Sequence, residues 1–299
     1  MGLVIVGSVA LDSVKTPFGE VEDALGGSAN YAAMASKNFC DTKIVGVVGA
    51  DYPTDYIELL KHNGVNVEGL EIKPGKTFRW KGVYNDLNRA ETLDTQLNVF
   101  AEFDPILPPD YRSSKYLFLG NIHPALQLNV LQQMPEVIVS ACDTMNFWIE
   151  RNRAELIEVI ERVTILFINE DEIKMLTGEG NIFKAADIVA EMGPKLIVVK
   201  RGEYGALAVH KDYYFFTPIY PVKDVVDPTG AGDSFAGGFM GYIAGKNSLQ
   251  EDIVKKAMVH GTVMASFDVE AFSLERLKDA NMANIAYRKE EIRRSVWFK

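Results

Sequence analysis

Six short apolar runs punctuate the first two-thirds of the chain: Leu3–Gly7, Lys43–Val48, Tyr116–Leu119, Val137–Ala141, Ile165–Ile168 and Leu196–Lys200. Between them lie stretches with helical spacing of apolar residues, at Asn30–Asn38, Thr54–Asn63, Ala125–Met134, Arg153–Arg162 and Phe183–Met192. A strand covered on both faces reads as a continuous apolar run, and parallel neighbours need a crossover between them. The alternation therefore predicts an α/β chain with a mostly parallel central sheet and helices on both faces. Sites in such folds form at the carboxyl ends of the strands.

Two regions break the rhythm. Lys76–Phe103 carries TFRWKGVY and TLDTQLNVFAEF, which read as strands flanking a polar turn at Asn85–Asn88 without a crossover helix. With residues near Asp12–Phe18 they predict a small separate sheet, placed as a lid beside a site. Ala206–Ile219 reads as antiparallel strands, and from Gly232 onward the chain reads helical. The expectation is one domain over residues 1–299, with lid strands drawn from about 12–18 and 76–103.

Bulk properties narrow the function. The chain has 299 residues, 47% of them hydrophobic, and a formal net charge of −10. Such a surface repels phosphate backbones and argues against nucleic acid. An anionic substrate would need local compensation by metal ions, Lys, Arg or helix N-termini. The two cysteines, Cys40 and Cys142, build no disulfide framework or zinc spacing, and a reducing, cytoplasmic setting is expected. The apolar start MGLVIVGSVALDSV lacks a basic beginning and is closed by Asp12, so a first strand is expected rather than a signal peptide. No run of about 18 apolar residues is present, so no membrane span is expected.

Some motifs fail. Gly75-Lys76-Thr77 resembles the end of a P-loop, but its first glycine would fall on Leu70, and a strand-like segment follows it. Gly230-Ala231-Gly232 would need glycine at Phe235 to be a dinucleotide fingerprint. The four histidines, His62, His123, His210 and His260, are scattered.

The strongest local signal is VDPTGAGDSFAGG at Val226–Gly238. Pro228 and Gly230-Ala231-Gly232 force a turn, and the small and apolar residues after it suit a buried helix. Such a turn aims backbone N–H groups one way, with a helix dipole behind them, and forms an anion hole. Asp233 sits at its mouth. Phosphoryl transfer to an alcohol needs a carboxylate to accept the hydroxyl proton and fixed dipoles to absorb charge on the moving group. One short segment supplies both. The plainer role for Asp233 is a helix N-cap.

DPTGAGDSFAGGF resembles the C-terminal signature of the ribokinase family of sugar and nucleoside kinases, also called the phosphofructokinase-B family. The resemblance runs almost end to end. It implies a ribokinase-like fold, with ATP and Mg²⁺ as co-substrates and Asp233 as catalytic base over the Gly230, Ala231 and Gly232 anion hole. Gly26-Gly27-Ser28-Ala29-Asn30 resembles the family's other signature. Together with Asp12, expected at the end of the first strand, Gly26, Gly27 and Asn30 would hold the acceptor. Asn169-Glu170-Asp171-Glu172 resembles the family's Asn-x-x-Glu motif. There Asn169 would serve the nucleotide, and Glu172 would hold Mg²⁺ through water. By local sequence alone, those acids simply favour a helix start.

Lys200, Gly202 and Gly205 match a segment that borders the nucleotide, although many members have threonine where Lys200 stands. Lys200 or Arg201 could meet ATP phosphates or be turn residues. Asp227 and Thr229 match positions that help hold a monovalent cation such as K⁺, with backbone from Ser266–Ser273. Thr229 is also expected beside ATP, and Val263, on a helix over Ile253–Phe267, is expected to face the adenine.

The acceptor pocket is expected at the strand ends. Asn121, Asp143 and Asn146 would shape it, while Phe147 and Trp148 would stack on a ring or pack the core. A pentose or hexose cannot be separated from a nucleoside on these residues. A silent ligand-binding protein and a kinase with a different phosphate donor are the competing readings. Phe78, Trp80, Val83 and Tyr84 offer a sheet-edge contact for a homodimer through the lid.

Overall fold

The computed structural model describes residues 2–87 and 89–296. The chain opens with strands β1 (Gly2–Val6), β2 (Ala10–Thr16) and β3 (Gly19–Gly26), then helix α1 (Ser28–Ser36). There follow β4 (Asp41–Gly49), α2 (Thr54–His62), β5 (Val65–Lys73), β6 (Phe78–Asp86), β7 (Arg89–Gln96) and α3 (Pro109–Arg112). The middle runs β8 (Tyr116–Leu119), α4 (Pro124–Gln133), β9 (Val139–Cys142), α5 (Asn146–Arg151), α6 (Arg153–Arg162), β10 (Ile165–Asn169), α7 (Glu170–Thr177), α8 (Ile182–Met192) and β11 (Leu196–Lys200). The hairpin β12 (Ala206–His210) and β13 (Tyr213–Thr217) precedes α9 (Ala231–Lys246), α10 (Glu251–Asp268) and α11 (Met282–Val296).

The large sheet has nine strands in the order β13-β12-β11-β10-β9-β8-β1-β4-β5. Seven are parallel, and the last two, β12 and β13, are antiparallel. Alternate residues feed two cores. Leu3 and Ile5 of β1 point into a core closed by α1, α9 and α10, whereas Val4 and Val6 point into one closed by α4, α6, α7 and α8. Each fully buried Ile or Phe stabilises the fold by roughly 1.5–3 kcal/mol. Cys40 and Cys142 are free thiols. No helix among the described residues is long and apolar enough to cross a membrane.

The sequence signature SFAGGFMGYIAG has a packing purpose. A Cβ on Gly237 would collide with the Ala32 carbonyl of α1, so α9 lies against α1 with almost no side chain between them. Gly237→Ala gains about 1 kcal/mol in helix propensity. It should still destabilise the fold by about 1–3 kcal/mol through overpacking. A urea midpoint at or above that of the parent would refute this.

A second sheet stands apart, in the order β3-β2-β6-β7. β2 and β6 run parallel, with Asp12 opposite Trp80 and Val14 opposite Gly82. Strand β3 departs from expectation: GEVEDALG is mostly polar and exposed, so no apolar run marks it. Strand β5 escaped notice for the same reason. Asn88 of the expected Asn85–Asn88 turn lies outside the described residues.

Candidate active site

The turn before α9 is built around Gly230, which takes a left-handed conformation (φ 83°) and caps the helix. The Tyr31 ring fills the space that a Cβ there would need. Asp233 is therefore not the N-cap: it lies in the first turn, three residues beyond it. No side chain caps this helix end. The Ala231 amide, expected in the anion hole, instead bonds the Pro228 carbonyl at 3.2 Å, which leaves the Gly232 and Asp233 amides and the dipole to face an outside anion.

Beside that turn lies a charge cluster drawn from separate strand ends. Lys200 Nζ stands 3.1 Å from the position of a Cβ on Gly232, so the ammonium touches the mouth of the anion hole. It also bonds Asp143 Oδ2 at 2.5 Å, with side-chain exposures of 17% and 5%. Asp143 thus departs from the expected acceptor-pocket role and serves as counter-ion to Lys200. Burial alone would lower the Lys200 pKa, but Asp143 and Glu172 hold it above the ordinary lysine value. Burial pushes the Asp233 carboxyl up to about 7; Asp143 adds to the rise and Lys200 opposes it.

Asn169 and Glu172 form a reciprocal capping box on α7. Asn169 Oδ1 accepts from the Glu172 amide at 2.8 Å, and Glu172 Oε2 accepts from the Asn169 amide at 2.8 Å. The local helix-start reading is what these two side chains do, and Asn169 is committed to it. Burial pushes Glu172 up to about 7. Arg201 is held by Glu170 at 2.7 Å and is not free for a phosphate. Gly202 and Gly205 bound a short 3₁₀ turn just after β11.

Asp12 lies on β2 rather than at the end of the first strand, and only 6% of it is exposed. Gly26 leaves the room that its carboxyl occupies. Burial raises Asp12 to about 7 despite a hydrogen bond from the Gly27 amide, and Asp227 and Asp233 raise it further. Asn30, fully buried in the first turn of α1, donates to the Gly26 carbonyl at 2.7 Å and to the Tyr52 hydroxyl at 3.4 Å. Its Oδ1 has no partner among the described residues. A buried acceptor without a donor is costly, and a ligand hydroxyl would satisfy it.

Other expectations need correction. Asn121 accepts from Trp148 Nε1 at 2.7 Å and reaches Met145 Sδ at 3.1 Å, so it fixes α5 and is not left free for a ligand. Trp148 packs between His123 and Phe147, and Phe147 is 48% exposed. Asn146 begins α5. Val263 is fully buried in the core and presents no surface to an adenine.

Asp227, at 1% exposure, accepts from the Thr229 amide at 2.9 Å and the Ser273 amide at 3.5 Å. Asp268 was not anticipated. It is 1% exposed, and neither carboxylate oxygen has a hydrogen-bond partner among the described residues. Burial and then Asp227 raise its pKa well above the ordinary range, opposed by the neighbouring Ser234 hydroxyl, whose oxygen likewise makes no hydrogen bond of good geometry among the described residues. This orphaned carboxyl near Asp227 fits a bound cation. Its sequence signal was an acid in the last turn of an apolar helix, where the dipole disfavours negative charge.

Sequence reading also missed the ties between the small sheet and this loop. Thr16 Oγ1 donates to the Val226 carbonyl at 2.8 Å, Thr229 Oγ1 donates to the Tyr84 hydroxyl at 3.2 Å, and Ser273 Oγ donates to the Leu25 carbonyl at 2.5 Å.

Comparison with known proteins places the sequence and the fold. The pfkB family carbohydrate kinase model matches residues 4–266. A cytidine kinase from Thermococcus kodakarensis is 32% identical over 253 residues, covering 82% of this chain and 90% of that protein. The crystal structure of Methanocaldococcus jannaschii nucleoside kinase, an archaeal member of the ribokinase family, superposes with a TM-score of 0.77 at 20% identity, covering 97% and 98% of the two chains. Aminoimidazole riboside kinase from Salmonella enterica, complexed with aminoimidazole riboside and an ATP analogue, superposes with a TM-score of 0.75 at 19% identity, covering 97% and 100%.

Proposed function

The chain belongs to the pfkB family of carbohydrate kinases, and from that premise we propose that it transfers the γ-phosphoryl group of ATP to a ribose hydroxyl of a nucleoside, with Asp233 as general base. That it is a phosphotransferase acting on a hydroxyl group follows from the family. The nucleoside is the finer step. It is supported by the cytidine kinase relative, which is similar across most of both chains. The observation that carries the chemistry is the position of Asp233. It stands in the first turn of α9, over uncapped amides and in the field of the Lys200–Asp143 pair.

The steps follow from this chain's groups. Asp12 and the free Oδ1 of Asn30 accept hydrogen bonds from adjacent acceptor hydroxyls. Asp233 takes the proton of the attacking hydroxyl as its oxygen bonds to the γ-phosphorus and the bond to the β-phosphate bridging oxygen breaks, releasing ADP. The amides of Gly232 and Asp233, with Lys200, absorb negative charge on the transferring group. Mg²⁺ would neutralise ATP phosphates, held through water by the Glu172 oxygen outside the capping box. Asp227 and Asp268 would hold a monovalent cation behind the anion hole, fixing the loop and lowering the cost of their buried charge. The small sheet would exclude water from the acceptor.

An ADP-release screen tests the reading. With ATP as donor, at least one nucleoside among cytidine, uridine, inosine and adenosine should exceed ribose, fructose and inositol by about tenfold or more in kcat/KM, equivalent to about 1.4 kcal/mol of discrimination. Turnover confined to base-free sugars would overturn the nucleoside assignment. Absence of turnover with every acceptor would favour a silent binding protein, and ADP outperforming ATP would reassign the donor.

A further inference from the structure

Trp80 sits on the same face of the small sheet as Asp12. The two are direct partners in the parallel β2–β6 ladder, and paired residues in a ladder point to the same side. That face looks toward the catalytic loop: Asp12 feels the charges of Asp227 and Asp233, and farther along it Thr16 and Tyr84 bond the 226–229 segment. The indole runs from Trp80 over Gly82, filling the space of that residue's missing Cβ. Its Nε1 donates to Thr92 Oγ1 of β7 at 3.1 Å. The polar atom is thereby satisfied within the sheet. The ring remains half-buried, whereas Gly82 beneath it is buried.

A large aromatic ring laid over a glycine, tethered at one edge and not fully covered, is a poor core residue and a good stacking surface. Packing alone does not require it, because no hydrophobic core residue of either cluster rests on it. Its neighbour Asp12 is the residue read here as holding the acceptor hydroxyls. We infer that Trp80 is the platform on which the planar base of the acceptor stacks, making it a specificity-determining residue of the acceptor site. The inference rests on the nucleoside reading above and adds the group that recognises the base. It explains how a site whose polar contacts grip only hydroxyls would prefer a nucleoside to a bare pentose. Stacking is tolerant of base identity, since every base has a π-face. The platform therefore predicts breadth among nucleosides together with discrimination against base-free sugars.

The test compares the parent protein with Trp80→Ala, Trp80→Phe and Gly82→Ala in steady-state kinetics, using the best nucleoside from the screen, ribose and ATP. Trp80→Ala should raise the nucleoside KM by about 10- to 100-fold with kcat kept within about threefold, the range expected for losing one base–aromatic stack. The KM for ribose and for ATP should not move. Trp80→Phe should keep most of the nucleoside affinity. Gly82→Ala should mimic Trp80→Ala in part, since its methyl displaces the indole while the tryptophan remains. If the parent phosphorylates nucleosides and Trp80→Ala leaves their KM unchanged, the platform is wrong and the nucleoside reading stands. Equal KM increases for ribose and nucleoside would also overturn it, by showing a general loss of sheet structure. If Trp80→Ala instead halves the sedimenting mass at an unchanged KM, the ring is a subunit contact and the inference fails. A parent protein that accepts only base-free sugars removes the nucleoside reading and the platform with it.

Discussion

Asp233→Asn should lower kcat by about 10³-fold or more while ATP binds as well as before or better. The range for losing a positioned general base is about 10² to 10⁴, and the neighbouring carboxylates hold other posts, Asp12 on the acceptor hydroxyls that do not attack. Asp143 is committed to Lys200, and Glu172 to the capping box on α7. ATP affinity should hold because the amides at the start of α9 are untouched and one negative charge near the phosphates is gone. Single-turnover rates and equilibrium ATP binding measured on the same preparation check both halves. A variant within about tenfold of the parent rate would remove Asp233 from the role of base.

Lys200→Met should cut kcat by about 10²-fold, the usual cost of removing one charge-stabilising group from a transition state. The pH profile makes the test specific. The base must be ionised to work, so kcat/KM should rise with pH through about 7, where burial has pushed Asp233. Lys200 favours the ionised form, and removing its charge should displace that rise to higher pH. Asp143→Asn removes a charge that opposes ionisation and should displace it to lower pH. Asp12 and Glu172 also lie near 7, so the parent profile alone does not assign the group. The opposite signs of the two displacements do. A loss of packing would move neither in a paired way, and shifts of the same sign would refute the electrostatic account.

Much of this protein was legible from its sequence, for a definite reason. Strands buried on both faces leave continuous apolar runs, so β8 and β11 emerge at their observed limits, Tyr116–Leu119 and Leu196–Lys200. Strands with one or both faces in solvent leave no such mark, which is why β3 and β5 went unseen. The Gly230–Asp233 turn was visible because its geometry admits few residue types. The pairing of Asp143 with Lys200 was invisible, since it joins two strand ends 57 positions apart. Asp268 was hidden too: one acid in an apolar helix reads as a surface residue until its burial is known. Asn121 was misjudged because a strand-end position does not say whether the side chain is already bonded, here to Trp148.

Three hydrogen bonds, from Thr16 to the Val226 carbonyl, from Thr229 to the Tyr84 hydroxyl and from Ser273 to the Leu25 carbonyl, fasten the small sheet to the stretch leading into the anion hole and to the loop after α10. Each contributes about 0.5–1.5 kcal/mol, so together they hold the sheet against these two segments. Entry of one substrate and departure of its phosphorylated form must both undo the same latch. Each turnover thus carries an opening step of its own, distinct from the bond-making step that Asp233 and Lys200 govern.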